Sequence, residues 1–120
     1  MSFPEQDWRV LRALHVTALE RYCTRVLDEC VALIRDTDMS AHDRYLRLFR
    51  LLRERDDGLT AAFDDLRRST ALMRLVATIN LDVVTDKELE QFTPSTRETI
   101  TGLSEIFKPR GKRPKSPRRS

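Results

Sequence analysis

Residues 5–34 read EQDWRVLRALHVTALERYCTRVLDECVALI and form the first and longest element of the predicted fold. It contains neither glycine nor proline. Apolar side chains, with one histidine among them, recur at steps of three and four, the period of an α-helix with one buried face. They are Trp8, Leu11, His15, Leu19, Tyr22, Val26, Cys30 and Leu33. The pattern predicts one helix over Glu5–Ile34, about 45 Å long at 1.5 Å per residue.

Four more apolar side chains lie beside this stripe: Val16, Cys23, Leu27 and Ile34. They widen the apolar surface of the predicted helix to roughly half of its circumference. Because one neighbour cannot cover so broad a face, we expect at least two other helices to pack against it.

Capping signals divide the rest of the chain. Ser2 with Glu5 fits a capping box before the first helix, and Pro4 falls in its first turn. Ser40 predicts the start of a second helix that buries one face and ends or kinks at Gly58. The side chains predicted on that buried face are Tyr45, Leu48, Phe49 and Leu52.

Further helices are expected from about Thr60 to Asn80, from the capping box Thr85–Glu88, and from Thr93–Pro94 to Phe107. No alternating run is long enough to predict a strand. The fold class is therefore all-α: a compact bundle of four to five helices, with a long first helix and a disordered C-terminal tail. We assign residues 1–107 to the bundle and residues 108–120 to the tail.

The segment 71–81 is apolar on nearly every side, so it must be covered on every side. We expect it to form either the centre of the bundle or a subunit interface. The side chains assigned to self-association or core are Leu72, Leu75, Val76 and Ile79. Together with the long first helix, this segment predicts a homodimer.

The net charge of +3 conceals a division between body and tail. Seven of the 22 basic residues lie in the segment 108–120, KPRGKRPKSPRRS, which contains no acidic residue. The remaining 15 basic residues face 19 acidic ones, so residues 1–107 carry a net charge of −4. The tail side chains expected to contact nucleic acid are Lys108, Arg110, Lys112, Arg113, Lys115, Arg118 and Arg119.

The order of residues in the tail carries two resemblances. Residues 109–115, PRGKRPK, resemble an AT-hook, although Lys112 separates Gly111 from Arg113 and interrupts the Gly-Arg-Pro centre of that motif. Residues 116–119, SPRR, resemble the Ser-Pro-basic-basic units of histone tails. Both resemblances imply contact with the DNA minor groove and concern only these few residues.

Catalytic and metal-binding patterns are absent from the sequence. Cys23 and Cys30 are seven residues apart on one predicted helix, about 10.5 Å, which exceeds the ~7 Å that a disulfide spans. That spacing also differs from the three or four residues of a helical metal-ligand pair. The acidic pairs have arginines at helical distance, and no glycine-rich phosphate loop exists. We expect a protein that is not an enzyme and takes no cofactor or metal.

The expected location is the bacterial cytoplasm. No apolar run approaches the ~18 residues of a transmembrane helix, and the first residues lack the pattern of a signal or transit peptide. Two cysteines in such a chain fit a reducing compartment. The great excess of arginine over lysine in residues 1–107 suggests a GC-rich bacterial genome.

The favoured function is a small interaction or regulatory protein whose basic tail contacts nucleic acid without sequence specificity. One alternative is a protein–protein adapter whose tail serves only solubility. Another is a small-ligand pocket between the first and third helices, since broad apolar faces can enclose a cavity. Its lining would be Trp8, His15, Tyr22, Phe63 and Met73.

Overall fold

The computed structural model describes residues 3–107, and side chains are described for residues 3–103. Within that range the chain forms five α-helices and no strand. They are α1 (Glu5–Ile34), α2 (Ala41–Phe63), α3 (Ala71–Asn80), α4 (Asp86–Leu89) and α5 (Pro94–Phe107). The predicted all-α class and the long first helix are confirmed.

Caps explain where most helices begin. The Ser40 hydroxyl accepts a hydrogen bond from the backbone N–H of Asp43 at 3.0 Å. Thr85 and Glu88 form the predicted capping box, with both reciprocal hydrogen bonds present. The N-cap of α1 is Pro4, which makes no side-chain cap hydrogen bond. Ser2, predicted to cap this helix, lies outside the described residues.

The boundary between α2 and α3 differs from the prediction. Helix α2 continues through Gly58 to Phe63, and α3 begins at Ala71 rather than Thr60. The turn between them reverses direction at Asp65, whose φ of 57° lies in the left-handed region. The Thr70 hydroxyl stabilises this turn, because it donates to the Asp65 carbonyl at 2.7 Å.

The body is 52 Å long and 27 × 22 Å across, and its core has two clusters along α1. The first joins the N-terminal half of α1 to α3 and α5 through Phe3, Leu11, Leu14, Ala71, Leu75, Phe92 and Ile100. The second joins the C-terminal half of α1 to α2 through Ala18, Tyr22, Val26, Cys30, Ala62 and Phe63, with Val83 from the α3–α4 connection. Val84 packs against both clusters, so they are continuous.

The apolar helix α3 is covered largely by its own chain. Leu75 and Val76 are 0% and 2% exposed, so these two side chains belong to the core of the protomer. Leu72 and Ile79 are half-buried against the first cluster. Met73, at 48% exposure, is the large apolar side chain of α3 that faces solvent.

Candidate functional site

The C-terminal half of α1 and the N-terminal half of α2 form an antiparallel helical hairpin. The Tyr22 hydroxyl donates to the Arg55 carbonyl at 2.7 Å. The Arg55 guanidinium makes a two-pronged hydrogen bond with the Glu29 carboxylate, at 2.9 and 3.0 Å. Near the tip, the Arg44 guanidinium donates to the Ile34 carbonyl. These contacts fix the register of the hairpin.

One side of this hairpin is covered by α3 and by the segment that leads into α4. The Arg25 guanidinium donates to the Leu81 carbonyl, and that of Arg21 donates to the Val83 carbonyl at 2.9 Å. Arg21 also binds both Glu88 carboxylate oxygens, at 2.7 and 2.8 Å.

The opposite side of the hairpin exposes six large apolar side chains, and we call this set the hairpin face. On α1 the exposed fractions are 62% for Leu27, 43% for Val31 and 49% for Ile34. On α2 they are 67% for Tyr45, 54% for Phe49 and 45% for Leu52.

The two helices present these side chains on one common surface. Leu27 and Leu52 line the same groove of about 270 Å³ between α1 and α2. At 100° per residue, Ile34 lies within 20° of Leu27 on α1, and Tyr45 lies within 20° of Leu52 on α2. The hairpin face is therefore continuous across both helices.

The prediction that α2 buries Tyr45, Phe49 and Leu52 is wrong. Helix α1 packs against more than one helix as expected, but its apolar side chains Leu27 and Ile34 remain exposed. On α2 the core-facing positions are instead Leu48, Leu51, Leu59 and Ala62. Helix α2 has more apolar positions than one neighbouring helix can cover, and contact with α1 selects the stripe that contains Leu48.

Polar and charged side chains lie beside the hairpin face and at its ends. The Arg53 guanidinium carbon lies 5.5 Å from the centroid of the Phe49 ring, within the range of a cation–π contact. His42 and Asp56, both exposed, occupy the two ends of the same strip of α2. This surface therefore combines an apolar centre with polar ends.

Titratable groups elsewhere in the body serve its packing. Hydrogen bonding to Arg21, together with the capping contacts to Thr85, lowers the pKa of the Glu88 carboxyl to about 2, against the opposing effect of its partial burial. Burial lowers the pKa of His15, although a hydrogen bond with the Ala62 backbone opposes that change. Burial also raises the pKa of the Tyr22 phenol, while nearby Arg55 and Arg25 act in the other direction.

The side chains predicted to line a ligand pocket separate into three places. His15, Tyr22 and Phe63 pack together, with the Phe63 centroid 4.9 Å from that of His15 and 6.1 Å from that of Tyr22. Trp8 packs against the first core cluster. Met73 lines a surface groove of about 770 Å³ beside Phe3, Leu72 and Thr96. The structure does not bring the five to one cavity.

Metal-ligating residues do not converge in the part of the chain that the structure describes. No group of three or more His, Cys, Asp or Glu side chains there could hold a metal ion. Cys23 and Cys30 are free thiols, the first half-buried and the second buried. Among the described helices, none is both long and apolar enough to cross a lipid bilayer.

A buried polar cluster around Asp7 has no counterpart among the predictions from sequence. The Asp7 carboxylate, 0% exposed, accepts hydrogen bonds from the Thr93 N–H and hydroxyl, each at 2.8 Å, and from the Thr96 hydroxyl at 2.5 Å. It thereby fixes the first turn of α1 to the first turn of α5. The capping pattern at Thr93 was readable, but its partner 86 residues away leaves no local signal.

The seven basic tail residues predicted to contact nucleic acid lie outside the described residues, so their assignment stays a prediction. Comparisons of the chain with protein-family models, with curated proteins and with solved structures found no match.

Proposed function

We propose that this chain is a non-enzymatic interaction module, whose body binds a protein through the hairpin face and whose tail binds nucleic acid through charge. The observation that carries the proposal is the exposure of six large apolar side chains on two adjacent helices. Contiguous apolar surface of this kind is rare on monomeric proteins outside interaction sites. A protein partner would remove this surface from water.

The non-enzymatic part of the proposal draws support from how the charged groups are used. Glu88 is bound by Arg21, Glu29 by Arg55 and Asp7 by two threonines, so each of these carboxylates has a structural partner. Acid–base catalysis needs a group that can reach a substrate.

The free thiols of Cys23 and Cys30 fit the reducing compartment that we propose, the cytoplasm.

The nucleic-acid part draws support from the distribution of charge. Residues 1–107, at −4, repel a polyanion, whereas residues 108–120, at +7, attract it. Seven cationic side chains can displace counterions from phosphates, which gives an affinity that falls with salt and depends little on sequence.

The test is a salt titration of binding to duplex DNA and to RNA, made with the whole chain and with residues 1–107. We expect the logarithm of the DNA association constant to fall linearly with the logarithm of salt concentration. For seven contacts the slope should be no steeper than about −6. Residues 1–107 should lose this binding. A tail with the same composition in scrambled order is the matched control, and it should bind as the native tail does.

Two results would contradict the tail assignment. Equal binding by residues 1–107 would place the nucleic-acid contact on the body, and binding that ignores salt would exclude the electrostatic mechanism. If the whole chain binds no nucleic acid while residues 1–107 still capture a protein, the function is that of an adapter with a solubilising tail.

A further inference from the structure

We propose that the protein bound at the hairpin face is a second copy of this chain, related by a two-fold axis that passes beside Phe49 and runs α2 antiparallel to its counterpart. This inference rests on the proposed function, because it names the partner of the same surface. It predicts a dimer whose centre is an antiparallel pair of α2 helices.

The first observation is the spacing of exposed residues along α2. His42, Tyr45, Phe49, Leu52 and Asp56 follow one another at steps of three, four, three and four, and all five are exposed. This is the spacing of the seam that packs against a partner helix in a coiled coil. We call these five positions the α2 seam. It extends about 21 Å along the helix at 1.5 Å per residue.

The second observation is that the α2 seam is complementary to itself. A two-fold axis beside Phe49 sets residues of the two copies opposite each other in pairs. In each pair the two residue numbers add up to about 98. His42 then faces the partner's Asp56, and Tyr45 faces the partner's Leu52. The first is a contact between a basic and an acidic side chain, and the second is a contact between two apolar side chains.

Both contacts occur twice, because a two-fold axis repeats every contact between the two copies with their roles exchanged. Reversing α2 relative to its counterpart brings the acidic end of the seam to the histidine end. A parallel arrangement would instead place Asp56 beside the partner's Asp56. Charge therefore selects the antiparallel orientation.

The third observation concerns α1. Leu27 and Ile34 flank the α2 seam on the same surface, so two hairpins that meet along their seams also bring α1 toward its counterpart. Two helices from each copy make a four-helix arrangement, in which apolar faces of paired helices close around a common core.

The basic tail is a poor alternative occupant of the hairpin face. Residues 108–120 contain no large apolar side chain, so they cannot fill a surface of leucine, isoleucine, tyrosine and phenylalanine. The body's own α3 and the segment before α4 already occupy the other side of the hairpin.

The test is sedimentation velocity of the whole chain from about 1 to 100 μM, a range that detects micromolar association. We expect a monomer–dimer equilibrium that Phe49→Glu shifts toward monomer by roughly 100-fold or more in Kd, since a charge at the axis meets an identical charge. Met73→Glu, also at an exposed apolar position, is the matched control and should leave the equilibrium unchanged. Circular dichroism verifies that each variant folds.

A charge exchange tests the orientation. His42→Asp should weaken the dimer roughly tenfold, because it places two acidic groups together at both ends of the seam. Adding Asp56→Lys to the same chain should restore the dimer, since the carboxylate introduced at position 42 then meets the ammonium group introduced at position 56 of the partner. Failure of the double variant to restore association would overturn the antiparallel register.

A chain that stays monomeric up to the highest concentration, or a dimer that Phe49→Glu leaves intact, overturns the inference. Neither result contradicts the proposed function. The salt titration tests the tail separately, and a different protein could still bind the hairpin face. Nucleic-acid binding that does not depend on the tail, with the dimer intact, would instead defeat the proposed function alone.

Discussion

At the scale of single residues, Asp7 has the most demanding environment. Its carboxylate has no exposure to solvent and depends on the Thr93 N–H and on two threonine hydroxyls. A buried anion is tolerated only where hydrogen bonds replace the water it has lost. The three donors supply that replacement, and in doing so they join the first turn of α1 to the first turn of α5.

We predict that Asp7→Asn destabilises the protein by about 2 to 4 kcal/mol, because the amide nitrogen cannot accept the bonds that one carboxylate oxygen receives. Urea unfolding at neutral pH measures the change. The control is Asp28→Asn, at an exposed position of the same helix, which should stay within about 0.5 kcal/mol of the wild type. Equal stability of the two variants would contradict this account of Asp7.

The ion pair between Arg21 and Glu88 makes a second prediction, about pH. Because the folded-state pKa of Glu88 is about 2, below its ordinary value of 4.5, the stability it contributes is complete above about pH 4.5 and is lost as the pH falls toward 2. Glu88→Gln keeps an oxygen for the Thr85 N–H, and it removes both the charge and the second oxygen that accepts from Arg21.

The variant should therefore unfold at lower urea concentration than the wild type at pH 7, and at a similar concentration near pH 2. Glu90→Gln, at an exposed position just after α4, is the control. The difference between its unfolding concentration and that of the wild type should not change between pH 7 and pH 2. A deficit of Glu88→Gln that is the same at both pH values would show that charge is not its cause.

At the scale of helices, Gly58 explains why the α2–α3 boundary was misjudged. A glycine ends many helices because it readily adopts the left-handed conformation. Here it lies inside α2, where an added Cβ would be 2.7 Å from the Tyr22 hydroxyl oxygen and 3.4 Å from a Leu81 methyl carbon. Glycine is needed for close packing, and the sequence contains no local sign of a side chain arriving from 36 residues away.

We predict that Gly58→Ala destabilises the wild type, because the Tyr22 hydroxyl must abandon its bond to the Arg55 carbonyl. In a Tyr22→Phe background the same change should be neutral or stabilise by up to about 1 kcal/mol, the helix-propensity difference between alanine and glycine. Gly102→Ala, where nothing lies within 4 Å of the new Cβ, should stabilise in both backgrounds. Thermal unfolding of the four combinations measures the coupling, and identical effects of Gly58→Ala in both backgrounds would refute it.

Across the body of the protein, patterns among neighbouring residues predict more of the fold than contacts between distant residues do. The period of α1 and the caps at Ser40 and Thr85 are contained in a few consecutive residues, so the class, the length of the first helix and two helix starts could be read directly. The choice of which apolar stripe is buried depends on how helices far apart in sequence meet. Periodicity identifies an apolar stripe on α2, but it cannot say that Leu48 turns inward while Phe49 faces solvent.

The candidate site was missed for the same reason. The apolar pattern of α2 predicts Tyr45, Phe49 and Leu52 as core, but α3 lies on the other side of the hairpin and leaves them exposed. The sequence does contain one sign of this surface, because α1 and α2 have more apolar positions than the other helices can cover. That excess indicates an uncovered apolar surface, although not its position.

The link from Asp7 to Thr93 also has a consequence for synthesis. The first turn of α1 leaves the ribosome long before its partners exist, and at 5–20 residues per second the delay is about 4 to 17 seconds. During that interval the Asp7 carboxylate must remain hydrated, so the Phe3–Leu11 end of the core cannot close around it. We therefore expect the hairpin of α1 and α2 to form before the core closes around Asp7.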